Sequence, residues 1–457
     1  MPRRPRSFTT IPTFSDPGRD GTPAALSPLP VKLVHSLMTV VTFCLLPSPV
    51  TAQTSNATVE RVTIASALSE ALQKNLDLIA KRAGISIADA NLVTAQLRPN
   101  PVFSAGGDHL DLLGTGFNAT NMAGPPEYAA RVDFLFERGD KRAVRTAVAQ
   151  EERDIAEAVV DDAIRTLALD VRQAFVDVQL AQEHLALARD NAAAFAEIVT
   201  LNQTRVGSGD LAAVELLRSR VAALQSQQAV RAAGLKLRAA QRHLEQVMGR
   251  TPGSTAFEIE PLPPPAAIAE SPADLHTRAL RQRPDLRSAQ LTQARSQAEI
   301  RRQLALGQID WTIGAEARRQ NGIAGRGNSL GFFFSTPLPV FDRNQGNIAR
   351  SREEAHQVES RVTQIEHVIA ADVDLAAAQY AAAEAGLRSI EADMLPQARD
   401  VRSITDYSYR RGEATLIEFL DAQRAFNETM QAWNEARAEY ARSVFLLRAA
   451  VGGETFP

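Results

Sequence analysis

The chain has 457 residues, 45% hydrophobic and 23% charged, with a formal net charge of −3 and one cysteine. A single cysteine excludes a disulfide scaffold and any zinc site built on a CxxC pair. With 50 basic against 53 acidic side chains, no surplus of cations is present to neutralise a nucleic-acid backbone.

Lys32 precedes an uncharged apolar stretch over 37–46, followed by Pro47-Ser48-Pro49 and a Val50-Thr51-Ala52 ending. This pattern predicts an export signal cleaved after Ala52, with 1–52 as leader and signal peptide. The apolar run is about half of the ~20 residues a spanning helix needs. Residues 1–30 make the leader unusually long, which places the expected translation start near Val31. Cys44 lies inside the run and not at its end, a poor position for lipid attachment. Cleavage leaves 45 basic and 51 acidic side chains, a net charge of −6, and no cysteine.

The rest of the chain repeats itself. Ala71-Leu72 through Asn75-Leu76-Asp77-Leu78 is echoed by Ala279-Leu280 through Arg283-Pro284-Asp285-Leu286. Arg205 to Asp210 with Glu215-Leu216-Leu217 is echoed by Arg410 to Glu413 with Glu418-Phe419-Leu420. Three ordered echoes, the third pairing 244–249 with 447–452, read as a tandem duplication of a unit of about 200 residues. The first repeat is expected at 53–250, a Pro-rich linker at 251–272 and the second repeat at 273–457.

Each repeat reads as helix, two strands, helix, helix. Helices are predicted at 62–98, 141–206 and 210–248, then at 273–306, 345–411 and 413–451. In the last, Phe419, Phe426, Trp433, Tyr440 and Leu447 recur every seven residues, a coiled-coil seam. The 141–206 segment carries two adjacent stripes: Leu167, Val171 and Val178 in one, Leu169, Val176 and Leu180 in the other. Two stripes require helical neighbours on both flanks. At ~1.5 Å per residue this helix runs roughly 100 Å, and two shorter ones stacked end to end would match it. Helices of that length suit a tube, not a globule.

Four segments alternate or break the helical period, at about 102–112, 128–137, 309–317 and 328–336. Ten of the 25 aromatics fall within 102–137 and 309–341, where membrane-barrel strands would carry an interfacial girdle. Four strands cannot close a barrel, so self-association is expected. A soluble half-buried sheet is the competing reading of the pattern alone.

Thr336-Pro337-Leu338-Pro339-Val340-Phe341-Asp342-Arg343-Asn344-Gln345-Gly346-Asn347 resembles the strand-to-helix junction of TolC-like outer-membrane efflux channels, in their cobalt–zinc–cadmium branch. Leu135 to Arg142 looks like its first-repeat counterpart, altered at Arg138 and Asp140, and Leu97-Arg98-Pro99-Asn100-Pro101 fits the same family habit. From sequence, Asp342 with Gln345 three later reads as a helix capping box. The resemblance covers about 60–452 and implies a mainly α fold with a small transmembrane β part. It implies a homotrimer in which four strands per chain close a 12-stranded β-barrel, continuous with a 12-helix tube. It further implies a passive exit duct in the outer membrane of a Gram-negative bacterium, with a long periplasmic extension. The expected partners are a periplasmic adaptor protein and an inner-membrane resistance-nodulation-division exporter, driven by protons, with divalent heavy-metal cations as cargo.

The turns at 205–210 and 409–413 are the expected periplasmic tips. The resemblance carries Tyr409, Glu418 and Asp421 onto positions that line and restrain the closed entrance, with Glu215 as the first-repeat equivalent of Glu418. Acidic residues repeated around a threefold axis would form rings that attract cations. Arg205, Gly207, Gly209, Arg411 and Gly412 are candidate adaptor contacts, and turn chemistry accounts for them equally well. Gly207-x-Gly209 falls between helices and is no nucleotide cradle. Asp108-His109 with Asp111 reads as a surface loop in place of a metal site. No catalytic constellation, cofactor or metal site is expected. Two alternatives remain: a related channel for drugs, organic solvents or a secreted polypeptide, and a periplasmic coiled-coil adaptor or scaffold.

Overall fold

The computed structural model describes residues 60–112, 114, 125–251, 257–322 and 325–453; the expected leader lies outside them. In chain order the elements are β1 (Glu60–Val62), α1 (Ile64–Lys74), α2 (Leu76–Gln96), β2 (Val102–Asp108), β3 (Glu127–Phe136), α3 (Lys141–Ser208) and α4 (Ala213–Met248). There follow β4 (Phe257–Ile259), α5 (Pro272–Gln282), α6 (Pro284–Leu306), β5 (Trp311–Gly322), β6 (Gly325–Ser335) and α7 (Gln345–Ser389). A π-helical turn (Ile390–Met394) then leads into α8 (Leu395–Arg411), and α9 (Leu416–Ala450) ends the fold.

α3 organises everything else. Its 68 residues extend roughly 100 Å. Leu167, Val171 and Val178 pack with Leu244 and Met248 of α4. The neighbouring stripe at Val176 packs with Ala438, Ala441 and Phe445 of α9. The two predicted stripes thus serve two flanks. Near the sheet the helices lie side by side as α2–α3–α6–α7, and toward the other end as α4–α3–α9–α8. The first order continues the strand order β2-β3-β5-β6 of the antiparallel sheet. The described residues from Glu60 on form one layer, four elements wide, from sheet to hairpin ends.

Short helices do stack end to end, through breaks that periodicity did not reveal. The expected 62–98 helix is split at Asn75, whose backbone is extended and whose Oδ1 accepts from Leu78 N. Asn75 Nδ2 donates to Val247 O at the end of α4. In the second half the expected 273–306 helix is split at Arg283, since Pro284 disfavours helical backbone in the residue before it. Arg283 reaches Ala450 O at the end of α9 and pairs with Asp285 and Asp372. The 251–272 segment also holds an unexpected strand: β4 pairs in parallel with β1, placing Phe257 and Ile259 in the core.

The expected 345–411 helix is interrupted by the π turn, with Pro396 as the second residue of α8 after it. Widening the helix there accommodates a proline that cannot donate a backbone bond. Trp433 Nε1 donates to Glu391 inside the turn. α3 has no such break.

The sheet differs from expectation only at its margins. β2 stops at Asp108, where His109 takes a left-handed φ of 54° and Asp108 Oδ1 accepts its amide. β5 begins at Trp311 because Asp310 is occupied: its Oδ1 accepts from Arg138 N and its Oδ2 from Lys141 Nζ. The capping box read at Asp342 and Gln345 is not formed. The cap of α7 is Asn344 in a left-handed conformation, φ 63°, with Asp342 Oδ1 accepting from Asn344 N and Gln345 Oε1 from Arg343 N. Asp140 occupies the same conformation before α3, φ 55°.

The sheet's two faces are chemically opposite. Phe134, Ile313 and Phe334 align across three strands, as do Val132, Ala315 and Phe332, and Ala130, Ala317 and Leu330. Phe332 is 85% exposed and Phe334 62%. The other face carries Arg131 paired with Asp133, and Arg318 paired with Glu316 and Glu127. Neither face packs on a core among the described residues, so apolar side chains exposed on one face and ion pairs on the other are not the pattern of a soluble sheet packed on a core.

Candidate functional site

The two helical hairpins end side by side. α3 terminates at Gly209 and α8 at Gly412, both left-handed, with φ 85° and 82°. Glycine adopts this conformation without the penalty a Cβ would bring, so both helices stop within one residue. Gly207, expected in the turn, lies within the last turn of α3 instead.

Behind the turns sits a small apolar core of Phe195 and Ile198 from α3, Tyr409 from α8, and Leu416 and Phe419 from α9. The Tyr409 ring stacks on Phe419 with centroids 5.2 Å apart, and Phe195 meets Phe419 edge to face at 6.4 Å. Tyr409 is 2% exposed, so in the isolated chain it joins the hairpins from within. Its hydroxyl donates to Asn202 Oδ1 at 2.6 Å. Burial pushes the phenol's ionisation up, against the lowering effects of Asn202 and the Arg205 charge. Asn202 Nδ2 and Glu215 Oε2 are both buried without a hydrogen-bond partner among the described residues.

Arg205 forms the second tie. Its Nη1 donates to Tyr409 O at 3.1 Å and its Nη2 to Arg410 O at 2.7 Å. These carbonyls belong to the end of α8, where helical acceptors are left over. Arg410 adds a third link, bonding Asp406 on its own helix and Glu197 on α3. Arg205 is therefore engaged between hairpins, whereas Arg411 lies on the exposed side against Tyr407 and Glu413.

The acidic residues divide by role. Thr415 caps α9: its backbone N–H and hydroxyl both donate to Glu418 Oε2, and Glu418 N donates back to Thr415 Oγ1. These bonds, the backbone one foremost, hold the Glu418 carboxyl below the usual carboxylate range. Asp421 projects into solvent, its side chain 67% exposed and 3.8 Å from Arg424. At the matching end of α4 the cap is Ala212, with no side-chain bond, and Glu215 Oε1 accepts from Arg218. Tyr409 and Arg205 converge between the hairpins, with the Glu215 charge acting on Tyr409; Glu418 and Asp421 do not join them.

Asn202 escaped the sequence reading. Its signal was present: Phe195, Ile198 and Asn202 follow three–four spacing, which puts a lone amide on an apolar stripe. Lys141 escaped as well. It is 7% exposed and binds Gln308 O and Asp310, tying the start of α3 to the start of β5. Among the described residues no group of three or more His, Cys, Asp or Glu is placed to hold a metal ion.

The sequence matches the profile of the family described as "Outer membrane efflux protein" over residues 67–250 and 275–453. It is 24% identical over 374 residues to the cobalt-zinc-cadmium resistance protein CzcC of Cupriavidus metallidurans, covering 79% of this chain and 83% of that one. Among solved structures, the outer membrane protein VceC of Vibrio cholerae superposes with a TM-score of 0.67 at 15% identity, covering 85% of this chain and 96% of the other. The open-state MtrE outer membrane channel of Neisseria gonorrhoeae gives 0.67 at 16% identity, covering 85% and 89%.

Proposed function

Because this chain belongs to the outer membrane efflux protein family, a family of passive channels and not of enzymes, we propose that three copies close into one exit duct. The observation that carries the proposal is the open layer. β2 and β6 are sheet edges with no further strand beside them among the described residues, α2 and α7 are the marginal helices next to the sheet, and α4 and α8 those toward the hairpin ends. An open edge facing lipid leaves backbone groups unpaired, which hydrocarbon does not tolerate. α4 displays Val214, Leu217, Val221 and Leu224 at three–four spacing, each more than half exposed, and α8 displays Val401 and Ile404. Stripes on opposite margins of one layer fit a ring in which α4 of one copy meets α8 of the next. Twelve strands would then form the barrel and twelve helices the tube.

In this reading the duct sits in the outer membrane of a Gram-negative bacterium, with its helical part in the periplasm. It works with a periplasmic adaptor and an inner-membrane proton-driven exporter. The hairpin ends form the entrance: Tyr409, Arg205 and Asn202 restrain it, Asp421 presents charge there, and Glu215 and Glu418 stand at the helix starts behind. Gly207, Gly209, Arg411 and Gly412 belong to the surface offered to the adaptor. Divalent heavy-metal cations are the cargo best supported, through the similarity to a cobalt-zinc-cadmium resistance protein. A passive duct needs no tight metal site. The test is growth of a deletion strain and its complemented parent on zinc, cadmium and cobalt against a panel of antibiotics and solvents. Metal sensitivity alone supports the assignment; drug or solvent sensitivity alone reassigns the cargo.

A further inference from the structure

The apolar face of the sheet ends, at the margin away from the helices, in two arginines that no group among the described residues neutralises. Arg319 lies opposite Asn328 and Arg326 opposite Asn321. They are diagonal neighbours on one face, with Cα atoms about 7–8 Å apart by antiparallel geometry. Ala317, Ala315 and Ile313 continue the same face toward the helices, and Tyr128 stands beside Arg319. Both arginines are exposed, and neither makes an ion pair or hydrogen bond among the described residues. Arg131 and Arg318, on the opposite face, contrast sharply: Arg131 binds Asp133 at 2.7 Å, and Arg318 binds Glu316 and Glu127 at 2.9 and 3.0 Å. Carboxylates are supplied where the strands face inward and withheld where they face outward.

Depth indicates the missing anion. Phe136 pairs with Trp311 at the helical margin and Tyr128 with Arg319 at the far one, eight residues along β3. At ~3.4 Å per residue this is about 27 Å of strand. A tilt of about 40° reduces that to roughly 20 Å of depth, close to the ~25 Å apolar band of a membrane barrel. Arg319 and Arg326 then stand at the headgroup level of the leaflet beyond the helices, where phosphate is the abundant anion. Two adjacent guanidinium forks suit a phosphomonoester, which carries nearly two negative charges at neutral pH and offers several acceptor oxygens. A phosphodiester offers one charge and leaves like charges facing each other across the strands.

We infer that Arg319 and Arg326 form a clamp for the phosphomonoester headgroup of a lipid in the outward-facing leaflet. The inference rests on the membrane orientation proposed above. It is tested by native mass spectrometry of the detergent-solubilised full-length protein, titrated with bisphosphorylated lipid A, with the same lipid after phosphatase treatment, and with phosphatidylglycerol. The wild type retains the bisphosphorylated lipid best, and the R319Q/R326Q double variant loses that retention by about tenfold. The single variants R319Q and R326Q each lose several-fold, which keeps the test readable if the double variant assembles poorly; R319K/R326K retains part. Equal retention of the phosphorylated and dephosphorylated lipids by the wild type overturns the clamp. So does equal or tighter retention of phosphatidylglycerol, or unaltered retention by the variants. Membrane fractionation run in parallel separates the two levels. Protein absent from the outer membrane overturns the orientation and the clamp together, while outer-membrane protein without phosphate preference overturns the clamp alone.

Discussion

The Tyr409 hydroxyl donates to Asn202 Oδ1 across the junction of the two hairpins, at 2.6 Å and in a site where both residues are buried. A hydrogen bond in such a place is asymmetric in effect: modest while made, costly once one partner is removed. Asn202 already has one unsatisfied amide hydrogen donor, so it has no reserve when the phenol is lost.

Tyr409→Phe should therefore destabilise the hairpin ends by about 1–2 kcal/mol and raise the open probability of the channel in planar bilayers. The phenol's ionisation is pushed up by burial, so the folded state holds this proton more tightly than the unfolded chain. Its contribution is complete below pH ~10, the ordinary tyrosine value, and falls as pH rises beyond it. Wild-type conductance should rise over that alkaline window, and the Phe variant should lack the step.

Arg205 serves two carbonyls with one guanidinium. Arg205→Ala should loosen the hairpins and increase conductance. Arg205→Lys should behave much more like the Ala variant than like the wild type, since one ammonium cannot reproduce the fork. Single-channel recordings of the three proteins check this, and a Lys variant indistinguishable from wild type would count against the tie.

Glu418 and Asp421 should separate under mutation. Asp421→Ala should weaken block by divalent cations, because that carboxylate is exposed and only loosely paired, 3.8 Å from Arg424. Glu418→Ala should leave block nearly unchanged and instead fray the start of α9, read as faster amide exchange there. Because its carboxyl is held below the usual value, the Glu418 cap is intact above about pH 4.3 and is lost as pH falls through its lower folded value.

Two glycines should respond in opposite directions to alanine. A Cβ at Gly249, where φ is 77°, would collide with the Lys74 carbonyl, so Gly249→Ala should cost roughly 2–4 kcal/mol. Gly84, inside α2, has open space around it, and Gly84→Ala should stabilise by about 0.5–1 kcal/mol. Thermal unfolding of the detergent-solubilised protein gives both signs.

Much of this architecture was legible in the sequence because it rests on periodicity. The stripes through Leu167–Val171–Val178 and Leu169–Val176–Leu180 announced two neighbours for α3, and both are present. Alternation located β3 and β5, and breaks in the helical period located β2 and β6, with ends displaced by up to about five residues. What escaped depends on contacts distant in sequence. β4 is three residues long and forms only because β1 supplies its pairing partner. Asp310 sets where β5 begins by binding Lys141, 169 residues away, which no local window reveals. At the site, Tyr409 was singled out through family resemblance, while its partner Asn202 was missed for want of a rule linking one amide to one phenol. The acidic pair came from the same resemblance, with the three-residue spacing beside it. Spacing says that Glu418 and Asp421 share a helix face but not that Glu418 turns back onto Thr415.

Lys141 reaches from the first half of the chain to Asp310 of the second, and Arg205, Arg437 and Arg442 do likewise toward Tyr409, Glu183 and Asp177. Each of these cations is answered from the opposite half, so neither half is a complete electrostatic unit. Asp310 directly precedes β5, whereas the residue directly before β2 in the first half is Pro101, so a ring of six first halves would offer its buried lysine no carboxylate there. The halves act as complements in place of copies, each completing ion pairs that the other leaves open.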